Sequence, residues 1–207
     1  HEQDRGMQPN TVSTRLRLVY AFLRYLVDRE VVHPDLLKRK LRVKVPEALP
    51  RAMDPEDVQH LLAAIEKPRD RAMILLLLRT GMRIGELLAT RMSEVNLREK
   101  QIIIREAQKT RVGRVAYLSE DACKALVVWL NQRDLTKERL FYGQGRPCLS
   151  YTAIRMRFAK YLEAAGLAHK GYSLHCLRHT CATELLNAGM RLECLQQLLG
   201  HSSIEMT

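Results

Sequence analysis

Apolar side chains recur near helical spacing at Val12, Leu16, Val19, Leu23, Leu26 and Val27, predicting a helix over residues 10 to 30 with Asn10 as its N-cap. A second periodic stretch follows Met53. Asp54 occupies a capping position, Pro55 the first helical position, and Val58, Leu61, Leu62 and Ile65 form the stripe to be buried. Pro68 restarts the chain into the run Ala72 to Leu78, apolar on every face and therefore a central core helix, which Gly81 ends. Ile102 to Ile104 and Val112 to Leu118 read as the two strands of a β-hairpin. Ser119 opens a helix through Leu130, and Ser150 to Ala165 forms another, stopped by Gly166. Ser173 opens the helix Leu174 to Ala188, closed by Gly189, and Arg191 to Leu199 ends at Gly200. The fold class is mainly α with a small antiparallel β-sheet (α+β). No internal repeat or low-complexity segment interrupts it.

Between these stretches, Lys38, Arg39, Lys40, Arg42, Lys44 and Arg51 are set against one acid, Glu47, and Pro46 and Pro50 forbid a continuous helix. This predicts a basic linker at residues 46–52. Residues 1–45 would form the C-terminal part of a helical domain, too short to bury a core alone, and residues 53–207 a second domain.

Composition sharpens the picture. Of 207 residues, 34 are Lys or Arg and 23 Asp or Glu, a net charge of +11 that points to a polyanionic partner, above all nucleic acid. With 46% hydrophobic and 28% charged residues the chain is globular. The longest apolar run falls far short of a membrane helix. Five cysteines without a CxxC pair fit reduced thiols and a cytoplasmic setting. A start at His1-Glu2-Gln3-Asp4, without initiator Met or signal peptide, predicts a fragment of a longer gene product.

Four places carry residues suited to phosphate chemistry. Arg83, just after the turn at Gly81 and three residues before Glu86, can present its planar fork to phosphate oxygens at a helix start; the alternative is a surface ion pair with Glu86. Lys109, at the hairpin tip, can place an ammonium in a DNA groove, or simply be solvated. His175 and Arg178 share one helical face and combine a proton-transfer group with a phosphate clamp. Packing, or metal binding by His175, His179 and Cys181, competes with that reading, although no carboxylate sits at matching spacing. His201 follows the Gly200 helix cap.

Taken in order, with the phrases TGMRIGELL, LRHTCATELLNAG and LQQLLGHSSI around them, these residues resemble the tyrosine recombinase (phage integrase) family over Met53 to Thr207. The basic stretch before it looks like the tail of that family's core-binding domain. The resemblance implies a clamp around duplex DNA and attack by a tyrosine on the scissile phosphate, giving a 3′-phosphotyrosyl link and a free 5′-hydroxyl. Arg83 and Arg178 would hold the non-bridging oxygens, Lys109 would protonate the leaving 5′-oxygen, His175 would act as general acid/base, and His201 would hydrogen-bond the phosphate. Glu86 would support the site without reacting. The arginines and lysine would supply the charge a metal provides elsewhere, so no cofactor or metal is implied. DNA contacts would come from Arg15, Arg17, Lys38, Arg39, Lys40, Arg42, Lys44, Arg111 and Arg114. The longer protein would assemble as a tetramer on its recombination site.

The family's nucleophilic tyrosine would fall near position 210, beyond Thr207, so the fragment is expected not to cleave DNA itself. A type IB topoisomerase would share the Arg-Lys-Arg-His set, and a non-catalytic helix-turn-helix module would fit residues 182 to 203. The LGHSSI phrase favours a recombinase over the first. The second has Leu185 where such motifs prefer a small residue, and does not call for the full set. The resemblance leaves open whether the DNA served is phage, transposon, integron or host.

Overall fold

A computed structural model describes residues 6–38, 41, 43–44, 52–105 and 113–200. The chain divides into two compact units, His1–Leu49 and Pro50–Thr207. The first unit carries helix α1, Pro9–Asp28, and a 3-10 turn, Pro34–Leu37. Helix α1 begins one residue before Asn10. Gln8 takes the cap position because Pro9 is preset for the first helical turn and has no N–H to satisfy. Only Val12 of this helix is buried.

The second unit is built around helix α3. Its order is α2 (Pro55–Ala63), α3 (Pro68–Thr80), α4 (Ile84–Ala89), β1 (Val95–Asn96), β2 (Gln101–Ile104), β3 (Arg114–Tyr117), α5 (Glu120–Leu130), α6 (Tyr151–Ala164), α7 (Leu174–Asn187) and α8 (Leu192–Leu199), with two 3-10 turns among the described residues. It is mainly helical with one small antiparallel sheet. Every residue from Ala72 to Leu78 is at most 3% exposed, as an all-round apolar helix requires, and α3 packs against α5 and α7. Each buried leucine there contributes about 1.5–3 kcal/mol relative to an exposed one.

The sheet has the order β1-β2-β3, with Ile102 opposite Ala116 and Ile104 opposite Arg114. Strand β1 was not legible in the sequence, because two residues are too few to show alternation. Asp54 and Ser119 stand at their cap positions but their side chains make no capping hydrogen bond. Ser119 turns instead to Asp121, and Asp54 to Lys170 at 3.6 Å. Arg191 is the cap of α8 rather than its first residue. All five cysteines are described and none is paired. Among the described residues no helix is long and apolar enough to cross a membrane.

Candidate active site

The turn from α3 to α4 is shaped by Gly81, at φ 61°, in the left-handed region that glycine enters without steric cost. A Cβ there would lie 2.6 Å from Leu199 Cδ2, so the turn and the end of α8 meet with no room for a side chain. Arg83 sits at the cap position of α4. Its amide donates to Glu86 Oε2 at 2.8 Å and its Nη1 to Glu86 Oε1 at 3.0 Å, while Nη2 donates to the Gly200 carbonyl at 3.0 Å.

Glu86 is 4% exposed. A buried carboxylate needs compensation, and a second guanidinium supplies it: Arg114 Nη1 and Nη2 donate to Oε1 and Oε2, each at 2.8 Å. Burial raises the pKa of Glu86, but the hydrogen bonds of Arg114 and the Arg83 amide, with the Arg114 charge, outweigh it and hold it below the ordinary value.

Arg178, in the second turn of α7, is buried. Its Nη1 donates to the Gly81 carbonyl and its Nη2 to Leu199 O at 2.7 Å. Burial, then the like charges of Arg83 and Arg114, push its pKa down to about 10, which leaves it cationic at neutral pH. His175 lies one turn earlier on α7 and is exposed. Its ring stands edge-on to His179, with centroids 4.5 Å apart. Burial and the Arg178 charge lower the His179 pKa below its ordinary value. Cys181 is buried and its thiol is pushed up to about 11, chiefly by burial. Among the described residues no three His, Cys, Asp or Glu side chains form a metal-binding group.

The structure therefore brings Arg83, Glu86 and Arg178 together, from the α3–α4 turn and α7, against the C-terminal end of α8. Lys109 and Arg111 in the hairpin, His201, and Arg39, Lys40 and Arg42 before the second unit lie outside the described residues. Arg15, Arg17, Lys38 and Lys44 are exposed in the first unit.

Arg114 differs from its expected place among the DNA-contacting cations. Its side chain is 9% exposed and committed to Glu86. Strand alternation carried the signal, since positions 114, 116 and 118 share the inward face with buried Ala116 and Leu118.

Sequence reasoning also missed the ties that hold α7. Asp57 of α2 accepts from Lys170 Nζ at 2.7 Å and from Tyr172 Oη at 2.6 Å, immediately before the helix begins. The Met53 amide donates to Thr180 Oγ1 at 2.8 Å. These partners are more than a hundred residues apart in sequence, so no local pattern announces them.

Two fixed guanidinium groups stand beside a buried carboxylate, with an imidazole one helical turn from the second; guanidinium pairs suit phosphate oxygens and imidazoles suit proton transfer. Residues 51–207 match the family model described as Phage integrase family, and the chain belongs to that family. The chain is 32% identical to Tyrosine recombinase XerC of Roseiflexus castenholzii, over 99% of this chain and 68% of that protein. It is 33% identical to Tyrosine recombinase XerD of Pseudomonas putida, over 99% of this chain and 71% of that protein. Its fold superposes with a TM-score of 0.87 on the Tn1549 transposon integrase in complex with transposon right end DNA, at 21% identity, covering 99% of this chain and 75% of that one.

Proposed function

We propose that the chain is part of a tyrosine-type site-specific recombinase that cleaves and rejoins duplex DNA through a 3′-phosphotyrosyl intermediate. The observation that carries this reading is the convergence of Arg83 and Arg178 beside Glu86 at the end of α8. The XerC and XerD relatives and the family match support it.

In this reading residues 53–207 are the catalytic domain, residues 46–52 the linker and residues 1–45 part of the core-binding domain. Arg83 and Arg178 hold the non-bridging oxygens of the scissile phosphate and stabilise the charge that grows in the pentavalent transition state. His175 acts as general acid/base, Lys109 protonates the leaving 5′-oxygen, and His201 hydrogen-bonds the phosphate. The exposed cations of the first unit grip the DNA backbone, and four copies assemble on the recombination site. The protein works in the cytoplasm of a prokaryotic cell, where its DNA lies.

The test is incubation of the protein at its natural length with a nicked suicide duplex, selected from a random-sequence library for tightest binding. Denaturing electrophoresis should reveal a covalent protein–DNA band that Arg83→Ala and Arg178→Ala abolish. A band whose intensity is indifferent to both substitutions refutes the reading.

A further inference from the structure

We propose that Arg114 is a positioning residue for phosphate binding, neutralising Glu86 so that Arg83 keeps its positive charge for the DNA phosphate. The inference rests on the reading of Arg83 as a phosphate clamp.

Glu86 is the shared hub of two guanidinium groups. Four hydrogen bonds reach its carboxylate, two from Arg83 and two from Arg114. With only Arg83 as partner, Glu86 and Arg83 would form a buried pair of zero net charge and present little field to an incoming phosphate. Arg114 changes the balance. Three guanidinium groups (Arg83, Arg114, Arg178) against one carboxylate leave a net charge of +2 in the cluster. In a water-poor site that difference is amplified, because fixed charges act there through a lower effective dielectric.

The geometry also argues against a direct phosphate role for Arg114. Each terminal nitrogen directs one N–H to Glu86, and Nε is buried and has no partner among the described residues. The planar fork lies square on the carboxylate, one Nη on each oxygen. The end of α8 closes over the same group: a Cβ at Gly200 would stand 3.1 Å from Arg114 Nη1. Arg114 thus shares both Glu86 oxygens with Arg83 and acts through Glu86.

The experiment is a charge-balance cycle in the natural-length protein, with the rate of covalent adduct formation on the selected suicide duplex as readout. Arg114→Met should slow the adduct by about tenfold or more, whereas loss of one cation from a net +11 should change duplex affinity by less than about threefold. Arg114→Lys, which retains the charge, should recover most of the rate. The decisive variant is Arg114→Met combined with Glu86→Gln. Removing both charges frees Arg83 again, so this protein should react faster than Arg114→Met alone.

A merely structural role predicts the opposite order, since the double variant loses more buried contacts. A folded double variant no faster than Arg114→Met overturns the proposal. If Arg114→Met does not fold, the double variant decides alone: a rate within about tenfold of wild type supports the proposal, and one as low as Arg83→Ala overturns it. Should the unmodified protein form no adduct, or Arg83→Ala react normally, the recombinase reading itself fails, a result distinct from either outcome of the cycle.

Discussion

Arg83 and Arg178 donate to neighbouring carbonyls at one helix end: Arg83 Nη2 to Gly200 O at 3.0 Å, and Arg178 Nη2 to Leu199 O at 2.7 Å. Carbonyls at the end of a helix have no intrahelical donor and carry the negative end of the helix dipole, so two cations there satisfy both needs. The same contacts bind the segment leading to His201 to both arginines. The two arginines and the end of α8 are one structural unit.

Substituting the arginines should separate stability from chemistry. Arg178→Ala strands the carbonyls of Gly81 and Leu199 in a buried setting, and thermal unfolding should show a loss of about 1–3 kcal/mol. In the natural-length protein both Arg83→Ala and Arg178→Ala should lower strand cleavage by about 10²-fold or more. Duplex affinity, measured by fluorescence anisotropy, should stay nearly unchanged for both. A large loss of affinity with normal cleavage of the DNA still bound would contradict the assignment.

Gly81→Ala should destabilise the second unit. The left-handed backbone costs a non-glycine residue about 1–2 kcal/mol, and the new methyl would press on Leu199 at a distance no Cβ tolerates. Because Leu199 belongs to α8, the variant should also loosen the Arg83 and Arg178 contacts there. Calorimetric melting and hydrogen exchange at the end of α8 check this; an unchanged melting temperature counts against the close packing of turn and helix.

Acid should unfold the protein partly through Glu86 and Asp57. Hydrogen bonds from Lys170 and Tyr172 hold the Asp57 pKa below its ordinary value, and Glu86 is depressed as described. A carboxylate depressed in the folded state binds fewer protons than in the unfolded chain, so stability rises with pH between the two values. The contribution is fully present above about pH 5, beyond the unfolded carboxylate values, and is lost as pH falls through the folded ones. Urea midpoints measured from about pH 6 down to about pH 3 should drop, and the drop should flatten in Asp57→Asn and in Glu86→Gln. Equal slopes in wild type and variants would assign the acid sensitivity to other groups.

Duplex binding should be steeply salt-dependent, since each phosphate neutralised adds about −0.9 to the slope of log affinity against log salt. Replacing Arg15, Arg17, Lys38 or Lys44 by Ala should each weaken binding across sequences and reduce the slope by about one. Titration at two ionic strengths decides it, and an affinity that ignores salt sinks the idea.

The sequence by itself determined what local rules control. Helix α3 is written in the apolar run Ala72 to Leu78, set between Pro68 and Gly81, and the burial of that run on all sides follows from its having no polar face to turn outward. The hairpin pairing of β2 with β3 and the glycine ends of α3 and α8 follow from alternation and punctuation in the same way. The presence of Arg83, His175 and Arg178 in family order was equally legible. Which charges meet was not.

Arg114 reads as one more basic residue in a basic hairpin. Only the tertiary fold, in which β3 packs against α8, brings its fork onto Glu86, 28 residues away, and turns an expected DNA contact into a buried counter-ion. The ties of Asp57 to Tyr172 and of Met53 to Thr180 are of the same kind. Chain spacing decides the face of a helix or strand that a side chain occupies, because the backbone repeat is fixed. The partner of a buried polar group depends on which distant elements pack over it, and that is decided when the whole core closes, where an unmatched charge costs more than any local preference.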